Sequence, residues 1–444
     1  MAFTPDRLAA FVPRLQSATR CYVGYSGGLD SHVLLVSLVR LMGKEAITAI
    51  HVNHRLSPHA DDWQQHCEWV CRSLGVELLV EPVDVELSGQ GPEDAARQAR
   101  YAVFEQYMGP GCLLILAHHA DDQAETVLYR LLRGSGPLGL AGIPAARALG
   151  EGELLRPLLT FTRRELEDYA VGEGLSWVED ESNAELTFDR NFIRHRVLPA
   201  ITERWPDYAA RIGLSASLCL DNEQLAAVLA EQDLLGVYER EERLGWSVSL
   251  EAVSHLDPLR QGNLLRHWAV QHQLPRPGRQ VIETFQRELL PAREDASPEI
   301  HWSGVHLRRY QRRLYLLPPD AEGGTAADSL AWVPRTPLVL PDNSCLKATL
   351  EKGAGLLIPR GASVEVRFRQ GGERCRPQGR SGSNTLKVLF QEYGLEPWLR
   401  QRVPLIFVDG ELAAVADLWI CEGFAAGEGQ CGAVIQWSMS GNSD

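Results

Sequence analysis

The sequence predicts an α/β protein: an N-terminal Rossmann-like parallel sheet, then a mainly helical domain, then a small C-terminal α+β domain. Three observations carry this reading. Short apolar runs alternate with helix-period segments through residue 132, the pattern of a parallel sheet covered on both faces. Residues 200–290 are rich in Leu, Ala, Glu, Gln and Arg at helical spacing. From about Val339 the chain turns strand-rich and Gly-rich.

Each element follows from its residues. Residues 20–25 (RCYVGY) read as a buried strand, and SGGLDS leads from it into a helix through Leu34, Leu35, Leu38 and Leu41. Ala46–Val52 is a second strand and Pro58–Leu74 a second helix. Val76–Val83 is a third strand and Pro92–Tyr107 a third helix, with Pro92 suited to its first turn. Cys112–Ala117 and Asp121–Leu132 form the fourth pair. Arg133–Gly142 has loop composition. Thr162–Gly172 reads as a helix whose Thr162 and Glu165 make a capping box. Residues 296–317 have strand character, and 318–330 read as a linker. The boundaries expected are therefore 1–200, 201–330 and 339–444.

Composition narrows the class. The chain has 444 residues, which suits about two to four domains at roughly 100–200 residues each. A hydrophobic share of 45% with 23% charged residues excludes a disordered or collagen-like chain. No apolar run approaches the ~18 residues of a membrane span. The N-terminus lacks the basic-then-apolar pattern of a secretory signal, so the cytoplasm is expected. Nine cysteines include no C-x-x-C pair, which argues against a structural zinc site and for buried reduced thiols. The net charge of −14 argues against a protein that coats nucleic acid, so basic patches have to be sought locally.

Three polar clusters follow strands: Ser26–Ser31, His51–Ser57 and His118–Asp122. In parallel sheets ligands bind at the carboxyl ends of strands. Ser26, Gly27, Gly28, Leu29, Asp30 and Ser31 form a strand-to-helix turn in which backbone N–H groups and a positive helix end can face one anion. It is not a Walker A loop, because the Lys of that motif is absent.

SGGLDS resembles the S-G-G-x-D-S signature of the PP-loop ATP pyrophosphatases. Further segments resemble one member family, the tRNA(Ile)-lysidine synthetases: HVNHRLS from His51, EDAARQARY from Glu93, HHADDQAET from His118, RGSG from Arg133 and RNFIR from Arg190. The stretch from Arg367 through Lys387 and Trp398 to Arg402 looks like that family's last domain. The resemblance covers the first 200 residues strongly and about 360–425 well.

It implies ligation of free L-lysine to C2 of the wobble cytidine in the CAU-anticodon isoleucine tRNA. ATP first adenylates the cytidine, and the lysine amine then displaces AMP. Reading shifts from AUG to AUA, and charging from methionine to isoleucine. ATP and Mg²⁺ are the expected cofactors, with Asp30 organising the metal or the phosphates. Arg97 and Arg100 lie three apart on one helix and are expected to line the site, unranked.

Free lysine is a cation up to about pH 10.4, so a carboxylate must hold it and a base must take its proton. Asp121 or Asp122 suits the first task, with Glu125 assisting. His54, His51 and His118 can contact nucleotide or lysine, or be structural. Arg190, Asn191 and Arg194 are expected on the tRNA backbone. Residues 360–403 carry nine Arg or Lys against four Glu, which marks Arg367, Arg369, Arg374, Lys387 and Arg402 as tRNA contacts. His306–Arg313 mixes basic and aromatic residues, and suits either RNA or an Arg-blunted strand edge.

Rival readings are a PP-loop tRNA thiolase, which wants paired cysteines, and a binding module without transfer chemistry. No membrane partner is expected. Oligomeric state is not set by the sequence, and a homodimer stays open.

Overall fold

A computed structural model describes residues 2–85, 92–181, 185–293, 296, 298–319 and 329–439. The chain divides into two compact units, Met1–Leu225 and Ala226–Asp444.

The first unit is built on a six-stranded sheet. Its strands are β1 (Arg20–Gly24), β2 (Thr48–Asn53), β3 (Glu77–Pro82), β4 (Cys112–Ile115), β5 (Ala146–Leu149) and β6 (Gly152–Leu155). Their order is β3-β2-β1-β4-β6-β5; all pairs are parallel except β5 with β6. The helices are α1 (Leu29–Met42), α2 (Ala60–Leu74), α3 (Pro92–Gln106), α4 (Ala120–Leu132) and α5 (Arg163–Gly172). Each expected strand and helix is present within two residues of its predicted ends. The apolar runs are continuous because both sheet faces are covered. One face packs Val23, Leu34, Leu113 and Leu166; the other packs Tyr22, Ile50, Phe104 and Leu114.

The topology matters more than the element list. From β1 the chain moves outward to β2 and β3, then returns to place β4 on the other side of β1. The crevice where the order reverses is where open parallel sheets bind ligands. The loops after β1 and β4, SGGLDS and His118-His119, both open there.

Two local readings can be checked atom by atom. Thr162 Oγ1 accepts from the Glu165 N–H at 3.3 Å while Glu165 Oε2 accepts from the Thr162 N–H at 2.8 Å, the capping box expected of α5. The segment 133–142, read as a loop, contains a short helix, Pro137–Leu140, started by its proline.

Besides the strands read at 296–317, the second unit has two short strands within its mainly helical middle. A helix spans Tyr208–Gly236, and others span Leu250–Ser254, Pro258–Gln271 and Arg279–Thr284. They accompany a five-stranded antiparallel sheet of β7 (Arg240–Glu241), β8 (Trp246–Ser249), β9 (Glu299–Trp302), β10 (Val305–Tyr310) and β11 (Arg313–Leu317), in order β7-β8-β11-β10-β9. Their core is Trp268, Phe285, Leu307 and Leu316. The strands β7 and β8 are too short to show a period of two in the sequence. The remaining strands, from Leu330–Ala331 to Cys431–Ser438, form small antiparallel sheets around Leu346, Phe390, Ile406 and Trp437. Most of the predicted linker, 320–328, lies outside the described residues.

Candidate active site

The SGGLDS turn is organised by its own side chains. Gly27 adopts φ +81°, and an added Cβ would lie 2.9 Å from Cys67 Sγ, so glycine is required on both counts. Ser31 Oγ lies 3.1 Å from Ser26 Oγ, accepts from the Ser26 N–H at 3.2 Å and donates to the Gly28 carbonyl at 3.0 Å. No side chain caps the N-terminus of α1. Its first N–H groups therefore remain available to an anion. Asp30 sits in the first turn with Oδ1 buried and without a hydrogen-bond partner.

From this turn a charged cluster extends to the start of α4. His119, 2% exposed, has Nε2 at 3.6 Å from Asp30 Oδ2 and 3.5 Å from Asp122 Oδ2, and Nδ1 at 3.6 Å from Asp121 Oδ2. Burial opposes its protonation, but Asp122, Asp30 and Asp121 outweigh that and push its pKa up to about 9. Burial likewise opposes ionisation of Asp30; His119, Arg163 and Arg194 overcome it and hold the carboxyl below its ordinary pKa.

Asp121 is held from two sides: Tyr208 donates to Oδ1 at 2.5 Å and the Arg163 N–H to Oδ2 at 2.7 Å. Arg194 binds Glu125 with both arms, at 2.6 and 2.8 Å, and reaches Asp122 at 3.3 Å. These residues border a cavity of about 450 Å³.

A second region contrasts in sign. His118 is half-buried, and its Nδ1 accepts from Arg156 Nε at 3.2 Å. Burial first, then Arg156, Arg97 and Arg100 against Asp122, depress its pKa to about 3. His54 is depressed to about 4 by burial, Arg100 and His51, and its Nδ1 is buried without a partner. His51 is structural: Nδ1 lies 3.0 Å from the Tyr25 carbonyl and 3.4 Å from Cys67 Sγ.

The sequence-derived candidates are thus sorted by the fold. Asp30, Asp121, Asp122 and Glu125 come together around His119, to which the sequence reading gave no role of its own. Arg97, Arg100, His54 and His118 gather in the basic region. Arg194, expected on the tRNA backbone, pairs with buried Glu125 from the π-helical segment Ile193–Val197. Both side chains border the same cavity. Arg190 is half-buried beside Arg130, while Asn191 donates to the Glu185 carbonyl at 3.0 Å.

In the second unit, Arg374 and Lys387 are exposed. Arg367 pairs with Glu365 at 2.8 Å, and Arg369 lies 3.9 Å from Glu373. Arg402 is 5% exposed and pairs with fully buried Asp342 at 2.8 Å, so it is a core ion pair rather than an RNA contact. The His306–Arg313 stretch is central rather than an edge: Arg308 pairs with Glu299 at 2.8 Å, and Arg313 donates to Ser247 Oγ at 2.7 Å.

Arg163, Tyr208 and Arg156 were not foreseen. Arg163 had one sequence signal, its place directly after a helix cap. The other two had none, since each reaches the site only through the fold.

A parallel sheet with an uncapped S-G-G-x-D-S turn at its switch point defines a PP-loop ATP-binding enzyme, and residues 4–201 match the PP-loop domain model. Residues 249–315 and 364–437 match the TilS substrate binding domain and the TilS substrate C-terminal domain. The tRNA(Ile)-lysidine synthase of Coxiella burnetii is 41% identical over 96% of this chain and 94% of its own length. That of Methylococcus capsulatus is 41% identical over 97% and 99%. The chain belongs to the tRNA(Ile)-lysidine synthase family, whose members are ligases that form a carbon–nitrogen bond. Among the described residues no helix is long and apolar enough to cross a membrane.

Proposed function

We propose that the protein, acting in the cytoplasm, joins free L-lysine to C2 of the wobble cytidine of the CAU-anticodon isoleucine tRNA. One observation carries this reading. His119 links the phosphate turn, through Asp30, to the carboxylates Asp121 and Asp122, so an anion seat and an ammonium seat share a wall.

In the first step the cytidine O2 attacks the α-phosphorus of ATP and pyrophosphate leaves. The N–H groups of the turn at Ser26–Ser31 stabilise the charge that develops on the phosphoryl oxygens. The His119 imidazolium and Arg163 add positive charge beside Asp30. Arg97 and Arg100 supply guanidiniums from α3 to the adenylated nucleotide.

Mg²⁺ fits at Asp30, whose Oδ1 is buried and lacks a partner. One or two carboxylates suffice for an ion that takes its other ligands from water and phosphate oxygens, and there it would neutralise phosphate charge.

In the second step the lysine side-chain nitrogen attacks C2, and O2 departs with AMP. Asp121, oriented by Tyr208, holds the ammonium, and Asp122 accepts its proton. Neutral His118 presents Nε2–H as a donor to the nucleotide, because Nδ1 is occupied by Arg156. In the second unit, Arg367, Arg369, Arg374 and Lys387 contact the tRNA away from the anticodon.

The test is turnover of a CAU isoleucine tRNA transcript with ATP, with and without lysine, followed by mass spectrometry of the wobble nucleoside. A cytidine that gains lysine supports the reading. Pyrophosphate release with no lysine on the base rejects it.

A further inference from the structure

The arginines around His118 have a shared property that the acid cluster lacks. Arg156 is 3% exposed and donates only to neutral acceptors: His118 Nδ1, the Pro144 carbonyl at 2.7 Å and Tyr101 Oη at 3.2 Å. Arg130 is half-buried and donates to the Gly139 and Gly142 carbonyls at 2.9 and 2.8 Å. Arg97 and Arg147 flank the Tyr101 ring at 5.1 and 5.0 Å from its centroid. Arg190 lies beside Arg130.

Among the described residues none of these five pairs with a carboxylate. Burial and the neighbouring guanidiniums hold Arg130 and Arg156 below their ordinary pKa. Buried charge without a counter-charge is costly, and neutral acceptors fix the guanidiniums in place without cancelling the charge. In a chain of net charge −14 such a cluster is a local site of positive charge suited to an anion.

Forked guanidiniums match phosphate oxygens, and phosphate is the anion that the substrates of a tRNA-modifying ATP-dependent ligase carry. Two sources carry phosphate here, ATP and RNA. The SGGLDS turn already offers ATP a seat. The basic cluster opens outward instead, through exposed Arg147 and half-buried Arg190.

We propose that Arg130, Arg147, Arg156 and Arg190 form a seat for a backbone phosphodiester of the RNA substrate, distinct from the ATP phosphate turn. This rests on the reading of the protein as a tRNA-modifying ligase and adds where its RNA backbone is gripped. Arg130 and Arg156 form its floor, and exposed Arg147 and half-buried Arg190 its rim.

The experiment uses the full chain and the variant Arg147→Gln/Arg190→Gln, whose side chains are not core. RNA affinity is measured by anisotropy, with a hairpin carrying the CAU anticodon loop, across a salt series. The variant is expected to bind at least about tenfold more weakly, with the slope of log affinity on log salt reduced by about 0.7–1.8. The KM for ATP should stay within about twofold, and Arg147→Lys/Arg190→Lys should recover most of the affinity.

Unchanged affinity and slope in a folded variant would overturn the proposal. So would a raised KM for ATP with RNA binding intact, which would hand the cluster to ATP. Failure of the wild-type chain to form lysidine would instead sink the ligase reading, while the binding series still judges the phosphate seat.

Discussion

His118 and His119 are consecutive but differ in charge: buried His119 faces Asp30, Asp121 and Asp122, whereas half-buried His118 accepts from Arg156. Their pKa values, about 9 and about 3, follow from those partners after burial has lowered both. One dipeptide at the end of β4 thereby divides an acidic region suited to an ammonium from a basic region suited to phosphate.

Acid should destabilise the first unit through the depressed histidines. His118 and His54 remain neutral when folded down to about 3 and about 4, while the unfolded chain takes up protons near 6.5. Their contribution is present above pH 6.5 and lost as pH falls toward 3. Urea midpoints between pH 7 and 5 should fall, and less steeply in His118→Gln. Parallel slopes for variant and wild type would reject the assignment.

Removing Arg194 should be costly, because Glu125 is 3% exposed and would be left without its counter-charge. Arg194→Ala is expected to lose about 3–5 kcal/mol, and Arg194→Ala/Glu125→Leu less than the single change. Equilibrium unfolding of both variants checks this; a loss under about 1 kcal/mol in the single variant contradicts it.

Asp30→Asn keeps the shape of the turn but removes the charge that faces His119 and any bound metal. Pyrophosphate release with tRNA present should fall by about 10²–10³ while tRNA affinity is retained. Equal release by the variant would take Asp30 out of the chemistry.

Asp121→Asn should act on lysine rather than ATP. A charged hydrogen bond of about 1.5–3 kcal/mol corresponds to roughly a 10–150-fold rise in KM for lysine. Tyr208→Phe should move the same constant less. A change confined to the KM for ATP would reassign the residue.

In the second unit, Arg402→Gln breaks a buried pair with Asp342 and should cost about 3–5 kcal/mol. Among folded molecules RNA affinity should stay unchanged, in contrast to Lys387→Gln. Lower affinity without lower stability would restore Arg402 as an RNA contact.

Much of the first unit was legible because its signals are local. A strand, a glycine turn and a helix are written within one stretch, as in Val23 to Leu38, and the capping box of α5 spans four residues. The second unit was less legible, since the antiparallel strands β7 and β8 have no period of their own and exist only by pairing, β8 with β11 and β7 with β8.

The sequence by itself determined the phosphate turn, the alternation that builds the parallel sheet and the residue types available for catalysis. The tertiary structure decided which of those residues are partners. Arg194 meets Glu125 across 69 residues, and Tyr208 meets Asp121 across 87. The physical reason is that backbone geometry is a property of neighbouring residues, whereas burial and charge pairing depend on where distant segments cross. Those crossings leave His118 neutral and His119 charged, a difference the dipeptide alone does not contain.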